Sequence, residues 1–81
     1  MSENELLAFF QQFLSERGIE LSAHELKTFN FVASGLLDSF EILSMIIHLE
    51  SSFDISVSPE SISDPKNGNV AGLINTLLAK S

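Results

Sequence analysis

Apolar residues recur at helical spacing in three stretches of this chain, and the polar residues between them carry start and stop signals. Leu6, Phe10, Phe13 and Leu14 fall on one helical stripe, which Leu7 and Phe9 widen. Ser2-Glu3-Asn4-Glu5 ahead of them has the pattern of a capping box, and Gly18 supplies a left-handed stop. The spacing predicts a first helix from about Glu3 to Arg17. Residues 18–37 keep no sustained period. Ser22-Ala23-His24-Glu25 suits the cap of one short turn, and Leu26, Phe29, Phe31 and Val32 are apolar enough to pin the segment down. The expectation there is a pinned loop holding one helical turn.

The next start signal is the strongest. Asp38 suits an N-cap, Glu41 falls at the third helical position, and Leu37 with Ile42 fits a hydrophobic staple. A helix from Ser39 to about Ser52 follows, roughly 20 Å long at 1.5 Å per residue. Its apolar residues (Phe40, Ile42, Leu43, Met45, Ile46, Ile47, Leu49 and the trailing Phe53) cover more than one core-facing stripe, so part of that surface faces something other than the core. Ser58-Pro59 opens a short helix through Ile62, and Asp64-Pro65-Lys66-Asn67-Gly68 is a turn. Asn69 caps a final helix bearing Val70, Leu73, Ile74, Leu77 and Leu78, with Lys80 favourably placed near its C-terminal end. No stretch alternates as a strand does. The expected fold is all-α: a small four-helix bundle of three main helices and one short one, with a long loop between the first two main helices, in a single domain over residues 1–81.

Composition narrows the chemistry. A chain of 81 residues without cysteine has neither disulfides nor thiolate metal sites to reinforce its core. Apolar packing must do that work, from 44% hydrophobic residues that include seven Phe. The formal charge of −7 disfavours phosphate backbones and anionic lipid and favours basic protein surfaces. The N-terminus is acidic where a secretory signal is basic, and the longest apolar run, Leu6 to Phe10, is five residues. A cytoplasmic monomer that neither binds nucleic acid nor inserts into membranes is the expectation.

Within Gly35-Leu36-Leu37-Asp38-Ser39-Phe40, a plain helix N-terminus accounts for Leu37 and Asp38 and, further on, for Glu41 and Ile42. It leaves Ser39 unexplained, because serine at the first helical position is tolerated rather than required. Its hydroxyl would stand beside free backbone N–H groups at the positive end of the helix dipole, a good place to carry a phosphate ester. Intrinsic catalysis finds no support: His48 is nine residues on, about 13 Å along the same helix and on its opposite side. His24 lies in the loop without a recognisable partner or oxyanion loop. A metal site is not expected either, since Asp38, Glu41, Glu50 and Asp54 lack the loop spacing and turn glycine of a calcium-binding hand.

Gly35-Leu36-Leu37-Asp38-Ser39-Phe40-Glu41-Ile42-Leu43 resembles the Asp-Ser-Leu attachment motif of acyl carrier proteins. Leu49-Glu50-Ser51-Ser52-Phe53-Asp54-Ile55-Ser56-Val57 is similar to the tail of that family's second helix, and the likeness extends through Ile62, Asp64-Pro65 and Val70-Ala71. It covers nearly the whole chain and is strongest from Gly35 to Leu78. The resemblance implies that Ser39 receives 4'-phosphopantetheine from coenzyme A through a separate phosphopantetheinyl transferase, and that acyl groups ride on the arm's thiol between enzymes. It implies that the chain is a carrier rather than an enzyme. Asp38 would then help position the metal and coenzyme in the transferase complex, beside its role as a cap. As one domain opening on Met1, the chain reads as a freestanding carrier.

Between Thr28 and Pro65 stand six carboxylates (Asp38, Glu41, Glu50, Asp54, Glu60 and Asp64) and no Lys or Arg. Such a face steers toward basic docking patches on acyl-loading and acyl-using enzymes, or simply keeps the protein solvated. By family analogy Glu41 and Glu50 are the foremost contacts, with Asp54 beside them and Phe40 and Met45 adding apolar contact. Ile46, Val57, Ile62, Ala71 and Ile74 either border a cleft for an acyl chain or are plain core. Phe40 stands where the family usually has leucine, and Ser44 and Ser51 where carriers of bulk fatty acid synthesis are often acidic. These departures favour a specialised lipid, polyketide or aminoacyl pathway. The competing reading is an acidic helical module that binds partners without covalent modification.

Overall fold

The computed structural model describes residues 1–80, the side chains of Pro59 and Lys80 excepted. The described chain is mostly helical, without a strand. The elements are α1 (Glu3–Ser15), α2 (Ala23–Thr28), α3 (Ser39–Phe53), α4 (Pro59–Ser63), a 3-10 turn (Pro65–Asn67) and α5 (Val70–Lys80). The all-α class is as expected, and the first connection holds more structure than a single turn. Lys80, expected to complement the dipole of the last helix, falls outside the described side chains.

Local chemistry explains each start. Ser2, Ser22, Asp38 and Ser58 each accept a hydrogen bond from the backbone N–H three residues on, and Asn69 Oδ1 accepts from Gly72 N–H at 2.7 Å. Only Ser22 and Glu25 complete the reciprocal capping box. The backbone N–H of Ser22 and its hydroxyl hold the Glu25 carboxyl below the usual carboxylate range, so this cap persists above that range and weakens as acid protonates Glu25. In the other two Glu-bearing starts the glutamate has found a cation instead. Glu5 lies 3.9 Å from the N-terminal ammonium, and Glu41 pairs with Arg17. A charged donor outcompetes a neutral backbone N–H for the same carboxylate.

Gly18, two residues past the cap of α1, takes φ +79°. That turn lets the Ile19 N–H bond back to the Leu14 carbonyl at 2.9 Å. α1 then packs closely against α2 and α5, and α2 against α5. The core runs through Leu6, Phe10 and Leu14 of α1, Leu26 of α2, Phe31, and Val70, Leu73, Ile74 and Leu77 of α5. Residues 29–32 are stitched to the start of α5: Val70 N–H donates to the Phe29 carbonyl at 3.1 Å, and Asn30 and Asn69 form an isolated antiparallel bridge.

α3 stands off from this tight group and meets α1 through long side chains. Phe9 meets Phe53 edge-on with ring centres 6.1 Å apart, and Phe13 lies 6.0 Å from the His48 ring. Arg17 stacks 3.5 Å above the Phe13 ring, donates to its carbonyl at 3.1 Å and reaches across to Glu41. On the far side, buried Asn67 joins three elements: its Nδ2 donates to the Ser61 carbonyl at 2.6 Å and its Oδ1 accepts from Thr76 at 2.6 Å.

Gly72, in the first turn of α5, is fixed by close approach. A β-carbon there would run into the Lys66 carbonyl oxygen. Gly72→Ala therefore forces the 3-10 turn away from α5, and this outweighs the roughly 1 kcal/mol gained in helix propensity. A net loss of about 1–2 kcal/mol is expected in urea unfolding, and an unchanged midpoint would contradict the close approach.

Candidate functional site

The first turn of α3 holds the candidate site, which its N-cap builds. Asp38 has extended backbone and its Oδ1 accepts from Glu41 N–H at 2.8 Å, while its carbonyl accepts from Ile42 N–H at 3.0 Å. With the cap fixed, Ser39 occupies the first helical position and is exposed. No hydrogen bond engages its hydroxyl among the described residues. Asp38 is thus a cap in fact, and Ser39 has no structural duty.

Beside Ser39 opens a cleft of about 450 Å³, lined by Val32, Ser39, Ile42, Leu43, Ile46, Val57, Ile62 and Ser63. Six of these eight are aliphatic, and none is charged. Of the residues expected to border such a cleft, Ile46, Val57 and Ile62 do so. Ala71 and Ile74 do not: both belong to α5, where Ala71 is half-buried and Ile74 is buried in the core. Val32, Ile42 and Leu43 were the missing wall. Helical spacing signals two of them, since Ser39, Ile42, Leu43 and Ile46 share one flank of α3. Val32 comes from the loop, and only its stitching to the start of α5 brings it there.

The expected docking residues divide. Phe40 is 82% exposed and projects freely. Met45 is corrected: it is 0% exposed, one turn before buried Leu49, and belongs to the core. Glu41 is half-buried and tied to Arg17, the cation that the acidic run from Thr28 to Pro65 lacks in sequence. Glu50 is also committed within the chain, where its Oε2 accepts from Val57 N–H at 2.8 Å. This bond folds the segment after α3 back on the helix and sets Val57 in the cleft wall. Asp54 is exposed at the end of α3, in the left-handed region at φ +54°.

His48 lies on the α1 flank of α3, opposite Ser39, and its Nδ1 is 2.7 Å from the Ser44 carbonyl. His24 is exposed in the first turn of α2. Among the described residues no three His, Asp or Glu side chains converge as a metal site, and no helix is long and apolar enough to cross a membrane. Comparison with known protein families, curated proteins and solved structures finds no match.

The roles of Glu50 and Ser39 separate by mutation. Glu50→Ala leaves Val57 N–H without its charged acceptor and is expected to cost about 1.5–3 kcal/mol in urea unfolding. Ser39→Ala is expected to stay within about 0.5 kcal/mol of the parent, as for other surface substitutions. Equal losses for the two would show that Ser39 is structural.

Proposed function

We propose that this protein is an acyl carrier whose work is done by a phosphopantetheine arm on Ser39. The observation that carries the reading is the exposed, unbonded Ser39 hydroxyl at the N-terminus of a fifteen-residue helix and on the rim of an apolar cleft. The residues suit the group. Free N–H groups and the helix dipole favour the phosphate, and the open approach to Ser39 admits a transferase. The Ser39 oxygen would take the phosphopantetheinyl group from coenzyme A, forming an O–P bond as the pyrophosphate bond to the departing adenosine 3',5'-bisphosphate breaks and the hydroxyl proton passes to a base of the transferase. When attached, the arm supplies a thiol on which acyl groups are held as thioesters.

Asp38 fixes the position of Ser39 and leaves a carboxylate at the entrance, where it would help orient the metal and coenzyme brought by the transferase. Ile42, Leu43, Ile46, Val57 and Ile62 offer an acyl chain an apolar refuge from water. A lining without charge supports an aliphatic cargo, and so a specialised lipid or polyketide pathway, over an aminoacyl one. The net charge of −7 draws in the transferase and the acyl-loading and acyl-using enzymes through their basic surroundings. The chain acts on its own as a monomer in the cytoplasm, as a substrate of those enzymes and not as a catalyst.

The exposed row Phe40, Leu43 and Ile47 favours one other reading, a non-covalent interaction module with the same apolar face. Intact mass separates the two. After incubation with coenzyme A, magnesium and a broad-specificity phosphopantetheinyl transferase, the protein should gain one phosphopantetheinyl group. Ser39→Ala, with an unchanged helical spectrum, should gain nothing. No gain in the parent under conditions that load a known carrier would leave the interaction module standing.

A further inference from the structure

The cleft beside Ser39 does not end at Val32, Ile62 and Ser63. These three residues also line a second hollow of about 280 Å³, between the loop at Asn30 and the turn from Asp64 to Gly68. Ser39 lines the first hollow and not the second. The two also differ in kind: aliphatic side chains dominate the first, whereas Asn30 and Asp64 bring polar groups to the second. Asn30 is half-buried, and its Oδ1 accepts from the backbone N–H groups of Val32 and Ala33 at 3.0 and 2.7 Å. Two donors on one atom assign that atom as the oxygen, so the other end of the amide is Nδ2 with its two N–H groups. No hydrogen bond engages Nδ2 among the described residues. Asp64 Oδ1 accepts from Lys66 N–H at 3.1 Å, and its Oδ2 stands 3.8 Å from the Lys66 ammonium. A carboxylate has about four acceptor sites, so Asp64 can still take a further donor.

We infer that the cargo on the Ser39 arm is an acyl chain bearing a hydroxyl group distant from its thioester, with its aliphatic stretch in the first hollow and the hydroxyl in the second. The inference rests on the carrier reading and names its substrate class. A hydroxyl both gives and takes: its oxygen suits Asn30 Nδ2, and its proton suits Asp64. The alternatives each leave a group unmet. A plain methyl end would cover the Asn30 amide without a partner, and a carboxylate would meet Asp64 as a like charge. An ammonium would face the donors of Asn30 and Lys66. Position along the chain follows from the order of the hollows. A chain that enters beside Ser39 crosses aliphatic wall before it reaches polar wall, so a hydroxyl next to the thioester would stop short of Asn30.

A transferase that accepts acyl coenzyme A can load the full chain with decanoyl, dodecanoyl and tetradecanoyl groups and with their ω-hydroxy and β-hydroxy counterparts, each checked by intact mass. The side-chain amide of Asn30 is then followed by NMR on nitrogen-labelled protein. Its N–H resonances are expected to shift with an ω-hydroxy chain of at least one length. With the plain and β-hydroxy chains of that length they should stay where the bare arm leaves them. The unfolding equilibrium constant of that ω-hydroxy form should lie about fivefold below that of its plain counterpart. Asn30→Asp keeps an acceptor for Val32 and Ala33 and loses the N–H donors, so it should abolish the difference with an unchanged helical spectrum. No shift with any ω-hydroxy chain that loads, or an equal shift with the bare arm, the plain chain or the β-hydroxy chain, would overturn the cargo class and leave the carrier function intact. If the parent gains no mass on Ser39, the carrier reading falls and the inference with it.

Discussion

The stitch between residues 29–32 and residues 68–70 is the constraint on which the rest of the molecule depends. A chain of this size buries only about 60% of the surface its unfolded form exposes, and this one has no disulfide to shorten its long first connection. The Val70 N–H bond to the Phe29 carbonyl and the Asn30–Asn69 bridge hold that connection against the start of α5. Phe31 is thereby sunk into the core at 0% exposure, and Val32, next to it, points outward to become one wall of the cleft. Asp38 then begins α3 from a fixed position, and the orientation of Ser39 follows from that cap.

The carboxylates show how a sequence pattern and its use can part. Ser2/Glu5, Ser22/Glu25 and Asp38/Glu41 carry the same spacing, yet only the middle pair closes on itself. The other two glutamates go to a nearby cation, which for Glu41 comes from another helix. Arg17 is able to make that reach because its guanidinium is already held by stacking on Phe13 and by the Phe13 carbonyl, so little further ordering is required. Glu50 is drawn inward in a different way, by a backbone N–H that the turn after α3 would otherwise leave unsatisfied.

What was legible in the sequence followed the reach of each signal. Caps and stops act over three or four residues, so the starts at Ser2, Asp38, Ser58 and Asn69 and the stop at Gly18 could be read directly. α2 has the weakest apolar period, with Leu26 alone buried, and its six residues depend on the Ser22–Glu25 box. The cleft was half legible: Ile46, Val57 and Ile62 are apolar beyond what one stripe needs, but Val32 enters through backbone pairing that no local pattern announces. Met45 and Ile47 differ by two positions on one helix and have opposite fates, a distinction that rests on where α1 and α5 stand. The pairing of Glu41 with a residue 24 positions earlier is likewise a product of tertiary packing.

The standoff of α3 has a mechanical side. Displacing α5 from α1 and α2 would break close backbone packing and open the core. α3 meets α1 through a few rings and the span of Arg17, contacts that yield gradually, and Met45 and Leu49 anchor it in the core. The cleft lies on another side of α3, between it, Val32 and the segment after the helix. Because its walls come from three separate stretches of chain, Val32, α3 and residues 57–63, the volume of the cleft is set by how those stretches lean on one another.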